Sequence, residues 1–457
     1  MPQDPVPGLL SRATELLEAE FTYLPPFQQH TDSAAIAQIL ASVAHRLADN
    51  YPYFHPLYAG QMLKPPHPVA RAAYALAMTI NPNNHARDGG RASSEMEIEA
   101  VRQIAQMCGW NEYLGHLTSS GTLANLEALW VAGQSAPGKR ILGSEQAHYT
   151  HRRISAVLQL NYAQVPSDNR GRISLEALEN ELRKGDVGTV VVTLGTTAIG
   201  AVDPLDQILA LRQQYGFRIH VDAAYGGYYK LISHTLAEPA RHAYAAMDQA
   251  DSIVIDPHKH GLQPYGCGCI LFRDPAVGRF YKHDSPYTYF TSKQLHLGEI
   301  SLECSRAGAA AVALWATHQL LPLLPNGEFA RGLSQSRAAA LGLHRCLQVD
   351  DRFQPLAAPA PELDIVVWKP TAETAEKSSQ LARNIFDACA QRGLHLALVQ
   401  LPLSWFSQSA ADANPAESKL VTCLRSVLMK PEHEAWLDRI WERLAAASAD
   451  TIGKRTE

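Results

Sequence analysis

The sequence predicts an α/β protein, with a mainly parallel mixed sheet in a large domain and a smaller α+β domain after it. Three observations carry that reading. Between residues 117 and 275, short runs rich in β-branched residues alternate with longer amphipathic ones. The residues that follow those runs are small, hydroxyl-bearing or ionisable, and open α/β sheets collect ligands at such strand ends. The length, 457 residues, also exceeds what a single core holds.

Residues 1–75 read as an N-terminal helical arm. AAIAQILASVAHRLADN (34–50) is helical, and the Pro- and aromatic-rich YPYFHPLYAGQMLKPPHP (51–68) has no evident core of its own. SSEMEIEAVRQIAQMCGW (93–110) is expected as a helix opened by a capping box, Ser94 with Glu97, and stopped at Gly109. The large domain, 76–328, takes its strands from GHLTSS, RILGS, YAQVPS, VGTVVVTLG, FRIHVDAA, SIVIDP and GCILFR. Helical segments such as TLANLEALWVAG and PLDQILALRQQYG separate most of them, and this alternation makes parallel pairing. GEISLECSRAGAAAVALWATHQLLPLL (298–324) is expected as a helix leaving that domain. The small domain, 329–457, offers LDIVVWKP and KLVTCLRSVLMKP as strands and KSSQLARNIFDACAQRG as a helix.

Composition narrows the function classes. A 46% hydrophobic and 19% charged content describes a globular chain. The net charge of -5 gives no reason to expect nucleic acid or an anionic membrane as partner. No apolar stretch reaches bilayer length, and MPQDPVPGLL lacks the features of a signal peptide. Seven scattered cysteines, an odd number, fit reduced thiols in a cytoplasm. Cys267 and Cys269 stand too close in sequence for the usual zinc pair, so no metal is expected.

DPHKHG (256–261) interrupts two apolar runs with a polar knot, placing Lys259 between His258 and His260 where two strands meet. Other strand ends carry matching chemistry. Ser119-Ser120-Gly121-Thr122 precedes a helix, whose free N–H groups suit an anion. Asp222 opens DAAYGG, Gly195-Thr196-Thr197 follows VVVTL, and His148 lies in SEQAHYTHRR. An anion cradle, a carboxylate, a flat aromatic partner and a lysine amine on one sheet edge are what pyridoxal 5'-phosphate requires.

NPNNHARDGGRASSEMEIEAV, GHLTSSGTLANLEALW, SEQAHYT, TLGTTAIGAVDP, HVDAAYGG, DPHKHGLQPYGCG and LRSVLMKP occur in one order over residues 50–430. In these segments the chain resembles the group II pyridoxal-phosphate-dependent amino-acid decarboxylases, which have fold type I. Within them it looks like the branch of bacterial tyrosine decarboxylases and archaeal tyrosine/aspartate enzymes. The resemblance implies that Lys259 attaches covalently to the cofactor aldehyde and that Asp222 pairs with the ring nitrogen. It also implies Ala224 beneath the ring, His148 stacked on the opposite face, and Thr197 near the ring or its substituents. Gly121, Thr122 and His258 would hold the phosphate. Asp256 departs from the asparagine of animal aromatic decarboxylases, and its role is left open.

The family's proton donor is often a tyrosine on a mobile loop, which makes Tyr287 and Tyr289 of YKHDSPYTYFTSKQLHLGE (281–299) and Tyr265 of HGLQPYG the options. Tyr53 and His55 of the arm, His85 and Arg425 fall where the family places substrate contacts. Aromatic residues there suit a tyrosine-like substrate. His260, Lys282 and His283 would suit an acidic one such as aspartate or glutamate. The expected activity is a lyase that decarboxylates an L-amino acid as a homodimer, with active sites between subunits. A related carbon–carbon lyase, an aldehyde-forming enzyme and a cofactor-holding protein without turnover are the alternatives.

Overall fold

Parallel strands need crossover connections, and those connections decide what each face of the sheet meets. The computed structural model describes residues 6–27, 31–86, 88–282, 300–356, 360–406 and 420–453. Its larger sheet contains β1 (Leu114–Thr118), β2 (Arg140–Ser144), β3 (Tyr162–Val165), β4 (Val187–Thr193), β5 (Arg218–Asp222), β6 (Ser252–Ile255) and β7 (Gly268–Phe272). The strand order is β1-β7-β6-β5-β4-β2-β3. Pairs from β6 through β3 are parallel, and β7 runs against both β1 and β6. All seven segments read as strands in the sequence are present.

The helices before and within this sheet are α1 (Val6–Ala19), α2 (Ser33–Leu47), α3 (Pro68–Met78), α4 (Arg91–Cys108), α5 (Gly121–Ser135) and α6 (Thr150–Val157). They continue with α7 (Leu175–Leu182), α8 (Leu205–Tyr215), α9 (Ala240–Ala245) and α10 (Gly308–Leu320). Every residue of β4 is buried because helices cover both faces. Val190 and Val192 pack with Ile104 of α4 and Ile208 of α8. Val191 points the other way, with Leu129 of α5 and Ile154 of α6. In β5, Ile219 and Val221 join the first face, so the period of two sends His220 and Asp222 to the α5/α6 side.

Two expected helix starts differ. α4 begins at Arg91 with Gly90 as its cap, not at a Ser94 capping box. Glu97 is instead buried, where its carboxylate accepts Leu117 N–H at 3.0 Å, Asn84 Nδ2 at 2.6 Å and Arg306 Nη1 at 2.6 Å. Tying distant segments outweighs capping for a buried carboxylate. Gly109 does end the helix, in the left-handed region at φ 97°. α10 starts at Gly308, ten residues later than the run 298–324 implied. There a Cβ would lie 2.6 Å from Asn84 Oδ1, so the glycine permits the chain to close on the 81–90 loop.

The C-terminal sheet, ordered β10-β11-β9-β8, is antiparallel throughout. It comprises β8 (Phe353–Pro355), β9 (Ile365–Pro370), β10 (Ala397–Pro402) and β11 (Leu420–Val427). α11 (Glu328–Val349), α12 (Ala375–Gln391) and α13 (Leu437–Gly453) accompany it. Its core surrounds Trp368 and also takes Leu57 and Ala59 from the arm. Ala59 N–H donates to His395 O at 2.9 Å, and Val427 N–H to Ala59 O at 2.8 Å. By contrast α1 and α2 bury no residue, leaving Leu9, Leu16, Ile39, Leu40 and Leu47 exposed. No helix among the described residues is long and apolar enough to cross a membrane.

Burial pushes His220, His318 and His433 down to about 3. Each would take up a proton near 6.5 in the unfolded chain. Below that pH the unfolded state binds more protons, so the stability these rings contribute is complete above it and declines as pH falls. The unfolding free energy from urea titrations should drop by up to about 1.4 kcal/mol per pH unit for each ring between about pH 6 and about pH 4. A flat profile over that interval would mean the rings are not held neutral in the interior.

Candidate active site

The C-terminal ends of β1, β2, β4, β5 and β6 open onto a cleft of about 220 Å³. Ser120, Gly121, His148, Asp222, Ala224 and Lys259 line it, and Thr122, Thr197, Asp256 and His258 are also in the wall. The turn after β6 sets the lysine. Lys259 N–H donates to Asp256 O at 2.9 Å, and Gln263 N–H returns to Pro257 O at 3.1 Å. Gly261 is needed there, since a Cβ would sit 2.5 Å from Pro257 Cα.

Lys259 Nζ lies 3.1 Å from Asp256 Oδ2. His258 Nδ1 donates to Cys267 O at 2.8 Å, which turns Nε2 toward the same carboxylate at 3.5 Å. Asp256 Oδ1 is buried and has no hydrogen-bond partner among the described residues. The carboxylate packs against the first turn of α5, where Ser120 caps the helix by accepting Leu123 N–H.

Asp222 is 4% exposed. Its Oδ2 accepts from His151 Nε2 at 2.8 Å, and its Oδ1 from Ala224 N–H at 3.1 Å. Burial alone would raise this carboxyl. The His151 hydrogen bond, with the charges of His151, Lys259 and His220, holds it below the usual carboxylate range instead. His148 is half-buried, with Nδ1 2.8 Å from Thr150 Oγ1. Burial, then Lys259 and His151, push its pKa down, against the pull of Asp222 and Asp256.

The remaining sequence-derived residues are spread around this cleft. Tyr265 is exposed, its ring 5.0 Å from that of His258. Tyr53 packs edge-on against Tyr58, and His55 against Trp436. His85 lies beside Cys304, with Nδ1 3.5 Å from Sγ. Arg425 is buried and braces backbone: Nη2 donates to Thr197 O at 2.7 Å and Nε to Ala198 O at 2.9 Å. Nη1 reaches Gln61 Oε1 at 3.0 Å. Tyr53, His55, His85 and Arg425 do not contribute to the cleft lining. Tyr287, Tyr289 and His283 lie outside the described residues. His260 turns away from the cleft and faces Asp364 Oδ2 at 3.2 Å, both side chains fully buried.

Sequence reasoning passed over His151 and the pair His116 and Glu127. His151 falls three residues after His148; His148 lies in the turn before α6 and His151 in the first turn of the helix, its N–H donating to His148 O at 3.1 Å. That spacing was the available signal. Glu127 is fully buried, accepts Tyr281 O–H at 2.9 Å and Leu302 N–H at 3.3 Å, and lies 3.0 Å from His116 Nε2. Nothing local to Glu127 marks it.

The residues present fit pyridoxal 5'-phosphate. An amine, an ionised carboxylate and an imidazole face converge on one cleft beside a helix N-terminus, with an unpartnered buried oxygen at Asp256. The family model for the pyridoxal-dependent decarboxylase conserved domain matches residues 137–323. An L-tyrosine decarboxylase of Levilactobacillus brevis is 31% identical, the match covering 56% of this chain and 57% of the relative. A probable L-tyrosine/L-aspartate decarboxylase of Methanothermobacter thermautotrophicus is 30% identical, covering 56% and 69%. An aspartate 1-decarboxylase of Aliivibrio fischeri is 32% identical, covering 56% and 50%. The chain thus spans little more than half the length of several curated relatives. Among solved structures, Oryza sativa TDC with PLP and tryptamine has a TM-score of 0.78 at 17% identity, covering 98% of this chain and 95% of that one. Mouse CSAD has 0.77 at 22%, covering 96% and 92%. At these identities the likeness establishes the fold, an α/β architecture of fold type I.

A Cβ at Gly121 would stand 2.3 Å from Asp256 Oδ1 and 2.5 Å from Oδ2. Gly121→Ala should therefore displace a buried carboxylate and the lysine paired with it. Overpacking of this kind costs about 1–3 kcal/mol. We expect a lower melting temperature and at least about tenfold weaker pyridoxal 5'-phosphate binding by absorbance titration. Unchanged affinity would show that the cradle does not need the glycine.

Proposed function

The chain belongs to the pyridoxal-dependent decarboxylase family, and from that premise we propose that it removes the α-carboxylate of an L-amino acid as carbon dioxide and releases the amine. The observation that carries this reading is the placing of Lys259 and Asp222 in one cleft, with His148 between strand end and helix. When bound, the cofactor supplies an aldehyde that condenses with amines and a protonated ring that accepts the electrons left by a departing carboxylate. The side chains do the rest. Lys259 would anchor the aldehyde carbon and yield it to the substrate amine, and Asp222 would hold a proton at the ring nitrogen. His148 and Ala224 would flank the ring, with Thr197 beside them. Gly121, Thr122 and His258 would take the phosphate.

A tyrosine-like substrate is favoured. Curated relatives named for that activity are among the matches, and Tyr53 and Tyr58 gather about Tyr265, whose ring is 5.0 Å from that of His258. Relatives named for aspartate keep an acidic substrate as the second reading. His260, which faces Asp364, gives that reading no free cation. Tyr265 or Tyr287 would return the proton to Cα, and His85, Tyr53, His55 and Arg425 would shape the substrate side. The division into an arm to 75, a cofactor-binding unit from 76 to 328 and a small domain from 329 belongs to this proposal. A cytoplasmic setting does too, supported by seven free cysteines. So does a homodimer with its sites between subunits, supported by the uncovered apolar side chains of α1 and α2.

Purified protein given pyridoxal 5'-phosphate should absorb in the visible, and borohydride reduction should fix the cofactor to the peptide containing Lys259. Lys259→Ala should abolish both signals. Asp222→Ala should fold normally and lose at least about a hundredfold in turnover, the loss expected when a charged group's hydrogen bond disappears from a buried site. Carbon dioxide release screened over tyrosine, dopa, aspartate, glutamate, diaminobutyrate and cysteate identifies the substrate. Analysis for amine against aldehyde separates the decarboxylase from aldehyde-forming chemistry. Absence of carbon dioxide from every amino acid would refute the proposal.

Light scattering should report a dimer, and Ile39→Glu should weaken it. A stable, active monomer would refute the shared-site arrangement.

A further inference from the structure

Asp222 is held from behind by a side chain that does not enter the cleft. His151 is fully buried on α6 and is absent from the cleft lining. Its Nε2 gives the 2.8 Å hydrogen bond to Asp222 Oδ2, and its Nδ1 meets no partner among the described residues. A proton at Nδ1 is an unsatisfied buried donor, whereas one on Nε2 is used by the carboxylate. With Oδ1 fixed by Ala224 N–H, both oxygens are oriented and their remaining lone pairs are left for the cleft.

The surroundings keep this ring in place. His220 precedes Asp222 by two residues on the same face of β5, and its ring centroid is 6.2 Å from that of His151. Both nitrogens of His220 are engaged, Nε2 with Asn125 Oδ1 at 2.8 Å and Nδ1 with Ser252 Oγ at 2.9 Å. His220 therefore cannot replace His151 as the donor to Asp222. The other ionisable groups about the pair are His148 in the turn before α6, Lys259 and Asp256 after β6, and Tyr162 on β3.

We propose that His151 is a positioning residue, whose Nε2–H keeps Asp222 ionised and aimed at the ring-nitrogen side of the cleft. This rests on the functional reading above, and it assigns part of the site's grip on a protonated pyridine nitrogen to a residue that touches neither cofactor nor substrate. Its effect must therefore depend on the ring nitrogen being there.

The test compares pyridoxal 5'-phosphate with its 1-deaza analogue, in which carbon replaces the ring nitrogen. Dissociation constants are measured on cofactor-free wild type, His151→Phe and His151→Gln. In His151→Phe, binding of the natural cofactor should weaken about tenfold to a hundredfold, the span of a hydrogen bond to a charged group. Binding of the analogue should change less than about threefold, since it makes no such contact. Turnover should fall with little change in KM, and His151→Gln, which keeps a donor at similar reach, should recover most of both losses. Equal weakening of both ligands, or of neither, would overturn the inference while leaving the functional reading intact. Failure of the wild type to bind pyridoxal 5'-phosphate would remove both. Should the phenylalanine variant not fold, His151→Leu is read by the same comparison: selective weakening of the natural cofactor supports the role, and equal weakening of both ligands or of neither overturns it.

Discussion

Parallel pairing forces the parallel strands of the larger sheet to return through helices, and every such return delivers the next residue to the same edge. The register is tight: Thr193 of β4 stands beside Asp222 of β5, and Asp222 beside Val254 of β6. Asp222 and the turn after β6 are therefore neighbours, although residues 223–251 separate β5 from β6. β7, running against β1 and β6, brings Gly268 alongside Thr118 and Cys267 O within reach of His258. A Cβ at Gly268 would lie 2.6 Å from the carbonyl carbon of Ser120, so even the antiparallel strand helps shape the anion cradle.

The price of that convergence is burial of charge. Asp222, Asp256 and Glu127 all lie almost wholly inside the molecule. A buried carboxylate left without partners is costly. Each is answered differently: Asp222 by His151, Asp256 by Lys259, and Glu127 by Tyr281 O–H and Leu302 N–H with His116 close by. Of these three carboxylates, Asp256 is the one that keeps an oxygen at the cleft without a partner among the described residues. The imbalance is concentrated where ligand chemistry is expected, as it is in sites that hold polar groups ready for a reaction.

The legible and illegible parts of the chain divide along the same line. Strands such as VGTVVVT and SIVI are readable because burial on both faces leaves continuous β-branched runs. Lys259, Asp222 and Gly121 are readable because each interrupts such a run with a residue no core would select. Glu97 looks like a helix cap in sequence, since its local spacing from Ser94 is visible and its partners Leu117, Asn84 and Arg306 are not. His151 was missed for a related reason: its value depends on a carboxylate 71 positions away. The start of α10 was misplaced because small residues from 298 onward permit a helix that the Asn84 and Arg306 contacts forbid until Gly308.

The C-terminal sheet takes part in the cleft through buried polar links. Asp364, just before β9, is fully buried, accepts Tyr225 O–H at 2.5 Å and faces His260. Burial would raise its carboxyl, and His260 with Tyr225 holds it below the usual range. Tyr225 follows Asp222 by three residues, and His260 follows Lys259 directly. Arg425 of β11 grips Thr197 and Ala198 from the same side. Three walls of the cleft are thus tied to one sheet by groups that would each be stranded without a partner if it withdrew. In a low-dielectric interior such separations are costly, so the turn carrying the lysine, the segment carrying the carboxylate and the C-terminal sheet are constrained to move as one body.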